Sequence, residues 1–195
     1  EEAQTQFANK LTDRLKELES QVNDMLLFAK SGEEQVVSQI SLGELFSSIE
    51  GSAHSMVAQA QQTLTFSGFE QDLSITGNLT ALQGALLNLI HNASQVTPKG
   101  ERVHVQATVS DHRLHVSVVD KGPGVPESLK SKIFEPFFTT KTHGTGLGLA
   151  VVKSVVNAHS GSLNIIDVPE GGACFSVSLP CSAHAKTSQT LTHVA

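Results

Sequence analysis

Asn88, His91, Asn92 and Gln95 fall at i, i+3, i+4 and i+7 within a stretch, Leu79 to Val96, that is otherwise mostly apolar. On a helix they form one polar stripe, with the small residues Ala81 and Gly84 clearing space on the same side. Asn is a poor helix former, so two of them one turn apart in mid-helix need a reason. Either the stripe is a solvated face, or its amide oxygens meet a ligand or a hard cation such as Mg²⁺, which keeps waters and substrate phosphates as its other ligands. A second candidate is Asp120-Lys121-Gly122-Pro123-Gly124-Val125-Pro126, directly after the apolar run that ends at Val118 and Val119. An acid at the end of a buried strand, followed by two glycines that admit close backbone approach, suits a flat heterocycle with an exocyclic amine to donate. A plain β-turn is the competing reading. The third is Lys141-Thr142-His143-Gly144-Thr145-Gly146-Leu147-Gly148-Leu149, leading into a helix. Its alternating glycines let successive N–H groups converge on anionic oxygens at the helix start, although a glycine-rich helix start alone is a weak signal.

The elements that must position these residues follow from periodicity. Val36 to Ile40 reads as a strand, Leu42 to Ala60 as a helix, Thr63 to Phe66 and Leu73 to Thr76 as strands, and Leu79 to Val96 as a helix. Arg102 to Val109 and Leu114 to Asp120 read as long strands around the turn Ser110-Asp111-His112. After the Gly/Pro-rich stretch 121–148, a helix over Gly148 to His159 and strands over Ser162 to Val168 and Ala173 to Leu179 are predicted, with Gly171 and Gly172 as the hairpin turn. Short turns between strands imply a largely antiparallel or mixed sheet with helices on one face. Ahead of this, Phe7, Leu11, Leu15, Leu18, Val22, Met25 and Ala29 recur at spacings of 4, 4, 3, 4, 3 and 4. That period predicts a bundle or coiled-coil helix about 45 Å long which needs partner helices, ended by Ser31 and Gly32. The competing reading is one amphipathic helix folded back on the following domain.

Composition narrows the function classes. Of 195 residues, 39% are apolar and 16% charged, with a formal net charge of −6, which describes a soluble globular chain and excludes a disordered acidic one. Between Ser31 and Pro98 there are six acids and no Lys or Arg, and no basic stripe marks a nucleic-acid surface. No apolar run approaches the roughly 18–20 residues of a membrane span, and Glu1-Glu2-Ala3-Gln4 lacks a signal-peptide layout. Cys174 and Cys181 have no metal spacing, so they read as ordinary strand residues in a reducing cytoplasm. Known phosphate motifs fit poorly: no Gly-x-x-x-x-Gly-Lys-Ser/Thr occurs, and Leu149 stands where the third glycine of a Gly-x-Gly-x-x-Gly fingerprint belongs.

Taken together, the boxes resemble those of sensor histidine kinases. Asn88-Leu89-Ile90-His91-Asn92-Ala93 looks like the N box, Asp120-Lys121-Gly122-Pro123-Gly124 like the first glycine box, Ile133-Phe134-Glu135-Pro136-Phe137-Phe138-Thr139-Thr140-Lys141 like the F box, and Gly144-Thr145-Gly146-Leu147-Gly148-Leu149 like the second glycine box. The likeness covers roughly residues 36–180, with all four boxes in family order. It is nearest to the nitrogen-regulator class and, within that, to flagellar-regulatory sensor kinases. The resemblance implies an α+β fold: the two-layer α/β sandwich shared with gyrase, Hsp90 and MutL, preceded by a long bundle helix.

It also implies roles. The cofactors would be ATP and Mg²⁺, with Asn92 as metal ligand and Asn88 assisting beside it. Asp120 would bond the adenine amine, and Gly122 and Gly124 would permit that approach. Residues Val125 to His143 would be a lid anchored by Phe134, Phe137 and Phe138, with core packing as the alternative for at least one of the three. Gly144, Thr145, Gly146, Leu147 and Gly148 would cradle phosphate. Lys141 either reaches the terminal phosphate or is a solvated lid lysine; His91 either touches phosphate or continues the polar face. Related ATPases carry a glutamate at the position of Asn88, where it activates water; an amide cannot take that proton, which favours transfer over hydrolysis.

The family's acceptor is a histidine in a His-Glu/Asp-x-x-Asn/Thr-Pro context, and none of the nine histidines here is followed by an acid. The expected organisation is therefore a second dimerisation helix over 1–31, a linker over 32–37, the ATP-binding domain over 38–181 and a disordered tail over 182–195, with the acceptor helix ahead of Glu1. The expected partners are a response regulator and a second copy of the full-length protein, with no nucleic acid and no membrane contact. Two alternatives remain: a protein-serine kinase of anti-sigma-factor type, and a nucleotide-binding dimerisation module without kinase activity.

Overall fold

The computed structural model describes Phe7, Val22 and residues 37–69, 72–141, 144–169 and 171–183. The expected heptad helix falls outside these residues except for Phe7 and Val22, which are helical and exposed. The tail beyond residue 183, and Thr142 and His143 of the lid, also lie outside them.

Among the described residues from 37 onward, eight strands and three α-helices follow in the order β1 (Ser38–Ser41), α1 (Leu42–Gln59), β2 (Thr63–Ser67), β3 (Leu73–Gly77), α2 (Leu79–Val96), β4 (Arg102–Ser110), β5 (Arg113–Val119), α3 (Gly148–Ala158), β6 (Ser162–Asp167), β7 (Ala173–Pro180) and β8 (Ser182–Ala183). They form a five-stranded sheet ordered β2-β4-β5-β7-β6 and a separate three-stranded sheet ordered β1-β3-β8. The large sheet is mixed, because β2 pairs parallel with β4 across the β3–α2 connection while its other pairs are antiparallel. One expectation fails here. The composition predicts a disordered tail from residue 182, but Ser182 and Ala183 pair with Ser74 and Leu73 of β3. Two residues carry no periodicity, so only the partner strand makes them a strand. Cys174 is a β7 residue as expected, whereas Cys181 sits in the link between β7 and β8.

Local chemistry explains the boundaries. Ser41 caps α1 by accepting from the Glu44 N–H, and Asn78 caps α2 by accepting from the Ala81 N–H. Asp111 and His112 both take left-handed φ between β4 and β5, the two-residue hairpin geometry that matches strand twist. The three helices pack on the large sheet, and α2 touches both α1 and α3. The buried alternation Val103, Val105, Ala107 on β4 and Leu114, Val116, Val118 on β5 meets helix residues such as Ile49, Leu89, Ile90 and Val151, so the core lies between the two layers. At the far end of α2 from the site, the His159 ring accepts from the Asn78 N–H at 2.9 Å and bonds the Val155 carbonyl at 2.7 Å. His159 is thus a structural clip between α2 and α3. A Cβ on Gly77 would lie 2.3 Å from that ring.

The other end of α2 is held by a buried polar cluster that the sequence did not signal. Gln62, before β2, donates to the carbonyls of Ser94 (2.9 Å) and Thr97, and its own oxygen accepts from the Ser94 hydroxyl at 2.8 Å. Gln62→Leu would leave several buried groups unpaired, and we expect a loss of about 1–3 kcal/mol in urea unfolding; an unchanged midpoint would contradict this. Among the described residues no helix is long and apolar enough to cross a membrane.

Candidate nucleotide-binding site

Asp120 is 2% exposed at the end of β5. Its Oδ1 accepts from the backbone N–H of Gly122 at 2.8 Å and of Ala173 at 3.1 Å. Burial pushes its pKa above the ordinary aspartate value, and those two amide bonds pull the other way. Oδ2 takes neither of these bonds. The carboxylate is thus pinned through one oxygen. Gly122 sits against α2, where a Cβ would lie 2.7 Å from Val96, and the Lys121 N–H donates to Thr97 Oγ1 at 3.2 Å. The first glycine box is therefore fastened to the C-terminal end of the N-box helix.

One member of this corner carries no local signal in the sequence. Gly171-Gly172 was read only as a hairpin turn, yet a Cβ on Gly172 would lie 2.1 Å from the Asp120 carbonyl oxygen, and its φ is +95°. The Gly-Gly pair was visible in the sequence, but nothing indicated that its second member backs Asp120. Gly124 also reaches this turn, its φ positive and its Cβ position 3.2 Å from the Gly172 carbonyl.

Further along α2, Asn92 Oδ1 accepts from Lys141 Nζ at 3.0 Å, and Gln95 Oε1 accepts from the same ammonium. Gln95 Nε2 donates to His91 Nε2 at 3.1 Å, so His91 orients the Gln95 amide with its oxygen toward Lys141. Burial lowers the Lys141 pKa, and its side chain is held by neutral oxygens alone among these contacts. Its backbone N–H donates to Thr139 Oγ1 at 3.0 Å, beside Gly144, whose Cβ position lies 2.6 Å from that hydroxyl. Gly146 takes φ +68°, and a Cβ there would lie 2.4 Å from Phe137; its carbonyl accepts the Phe137 N–H at 3.0 Å. Asn88 is half-buried one turn before Asn92.

Two expected roles change form. The resemblance predicts Phe137 as a lid anchor, but its backbone is left-handed (φ 67°) and the residue is 68% exposed. Phe134 does anchor, packing on the core beneath Lys153, whose Nζ lies 5.6 Å from the ring centre. Lys130 adds a tie from the lid to β6, pairing with Asp167 at 2.7 Å and with Glu127 at 2.8 Å. The Leu147 side chain is buried and its N–H donates to the Thr145 hydroxyl at 3.3 Å, so it contributes no side-chain contact. Helix α3 begins at Gly148 without a side-chain cap, which leaves its first-turn N–H groups open to an anion.

The donor set fits a nucleotide and its metal. It comprises a carboxylate pinned through one oxygen, two amide oxygens of α2 already gathered on a cation, and glycines where a side chain would collide, of which Gly122 lies against α2. The family model for histidine kinase-, DNA gyrase B- and HSP90-like ATPases matches residues 77–183. The chain belongs to this ATPase family. Membership covers every box described above. The sensor protein kinase FleS of Pseudomonas aeruginosa is 40% identical over 179 residues, 91% of this chain and 43% of that protein. The catalytic domain of histidine kinase ThkA superposes with a TM-score of 0.69 at 29% identity, over 75% of this chain and 96% of that one. Full-length ShkA in complex with AMPPNP gives 0.71 at 28% identity, over 83% of this chain and 35% of that one. The chain thus spans less than half the length of FleS, and the part it shares is the ATP-binding catalytic unit of the histidine-kinase branch of the family.

Proposed function

We propose that this chain carries the catalytic half of a sensor histidine kinase, which transfers the γ-phosphoryl group of ATP to a protein histidine for relay to a response-regulator aspartate. The observation that carries the reading is Asp120, buried and pinned through Oδ1 beside the N-box helix, with Oδ2 taking neither of those bonds. Bound Mg·ATP would supply the phosphoryl group and a metal charge that offsets its oxygens. For their part, the residues bind and orient. Asp120 Oδ2 accepts from the adenine amine, and Gly122, Gly124 and Gly172 let the surrounding backbone close on it. Asn92 offers Oδ1 to the metal with Asn88 nearby, the amides of 144–148 face phosphate oxygens, and Lys141 supplies a cation for the terminal phosphate. Residues 1–31 act as a dimerisation helix in the full-length protein, and the ATP supply places the domain in the cytoplasm.

Calorimetry with a non-hydrolysable ATP analogue tests this directly: Mg²⁺-dependent binding is expected. No binding would favour a dimerisation module instead. Because Asn88 is an amide, the purified chain should release phosphate from ATP at a negligible steady rate. Sustained turnover would count against phosphoryl transfer to protein. None of its nine histidines is followed by an acid, so after incubation with ATP the 195-residue chain should carry no acid-labile, base-stable phosphate. Its appearance would show that an acceptor lies within these residues.

A further inference from the structure

Lys141 Nζ occupies the place where the N-box amides offer their oxygens, 3.0 Å from Asn92 Oδ1 and bonded also to Gln95 Oε1. Two neutral amide oxygens converging on a positive centre are the ligand chemistry that a hard divalent cation uses. The arrangement is built rather than incidental. His91 turns the Gln95 amide so that its oxygen, not its nitrogen, faces the ammonium. Thr139 fixes the backbone of Lys141 through its N–H, and the long side chain is half-buried rather than extended into solvent.

We infer that Lys141 and the nucleotide-bound Mg²⁺ are alternative cations for the Asn92 oxygen, so that metal engages the N box only as Lys141 lets go. The inference rests on the nucleotide-binding reading above and concerns the regulation of that same site. A metal lies about 2.0–2.1 Å from a ligand oxygen. An ammonium 3.0 Å from the same oxygen would then be within a few ångströms of a second positive charge, with only neutral amides between them, and the two repel. The oxygen has lone pairs for both; charge is what excludes one. Release also gives Lys141 somewhere to go, since the phosphates that bring the metal are the anions that its present contacts lack. The lid residue therefore reports whether the metal is bound, and the exchange couples the metal site on α2 to the lid without any rearrangement of the helix.

The coupling is read from the Mg²⁺ dependence of ADP binding, which involves no turnover and no γ-phosphate. The chain is titrated with ADP by calorimetry in EDTA and at a series of Mg²⁺ concentrations, as wild type, Lys141→Met and Lys141→Arg. In Lys141→Met the Mg²⁺ concentration giving half-maximal enhancement of ADP affinity should fall by about fivefold or more, while the affinity in EDTA stays level or drops. Lys141→Arg keeps the charge and should keep the wild-type Mg²⁺ requirement. An unchanged or higher Mg²⁺ requirement in Lys141→Met, with ADP still bound, overturns the exchange and leaves Lys141 as a phosphate ligand only. A wild-type chain that binds no ADP at any Mg²⁺ concentration overturns the nucleotide-site reading itself.

Discussion

Replacing Asp120 by Asn should lower adenine-nucleotide affinity by about tenfold to a hundredfold and leave the fold at least as stable as before. The two effects separate because the two carboxylate oxygens have different tasks. Asn retains an oxygen at Oδ1, so the bonds from the Gly122 and Ala173 amides survive. At the other position an NH₂ replaces the acceptor, and an adenine amine would then meet a donor. A buried donor pair left unmatched costs about 1–3 kcal/mol. Stability runs the other way. Burial raises the Asp120 pKa, so folding disfavours the ionised form. The stabilising contribution is complete below the unfolded aspartate value and is lost as pH rises through the folded one. Above the folded value the wild type has lost it, and Asn, which cannot ionise, should there equal or exceed it. Ligand binding should show the mirror image in wild type, weakening as the pH falls through the raised value and the acceptor is protonated. Thermal melting and calorimetry on the two proteins check both halves. A variant that melts lower and binds normally would assign Asp120 to the fold and not to the ligand.

Gly172→Ala should have the second-largest effect and the opposite character, with stability and binding falling together. Its Cβ would lie 2.1 Å from the Asp120 carbonyl oxygen and 3.2 Å from Oδ1. Backbone cannot swing aside as a side-chain tip can. Left-handed φ adds strain for any residue with a Cβ, so the total loss is about 2–4 kcal/mol. Gly171 provides the control. It shares the positive φ, at +91°, but has nothing within 4 Å of its Cβ position, so Gly171→Ala should cost about 1–2 kcal/mol and leave ADP affinity near wild type. Urea unfolding and ADP titration of both variants check this. Equal effects at the two positions would mean that conformational strain, not the approach to Asp120, sets the requirement at Gly172.

Much of this architecture was legible in the residues, and the exceptions share a cause. Helix α2 runs from Leu79 to Val96 as its periodicity requires, and Asp120 stands at the end of β5 because an apolar alternation stops there. These are local signals. Gly172 was read as a turn because its essential neighbour lies more than fifty residues earlier in the chain. Gln62 carried no signal for a similar reason: its partners Ser94 and Thr97 are 32 and 35 residues away. Phe137 reads as an apolar anchor by type, but its left-handed backbone, tied to Gly146, turns it outward. The parallel pairing of β2 with β4 and the capture of Ser182–Ala183 by β3 likewise depend on which edges the tertiary fold leaves open, and hydropathy does not encode that choice.

The bond between Asp120 and Ala173 has a further consequence, in the time domain of synthesis. Fifty-three residues separate the two partners, and at about 5–20 residues per second the ribosome takes roughly 3–10 s to cross that interval. During it the carboxylate exists without the strand that pins it, and the turn that backs it has not been made. β7 lies between β5 and β6, so the same strand that completes the sheet also supplies the amide that pins Asp120. The pinning of Asp120 thus has to wait until the N box, the first glycine box and residues 125–141 have all been synthesised.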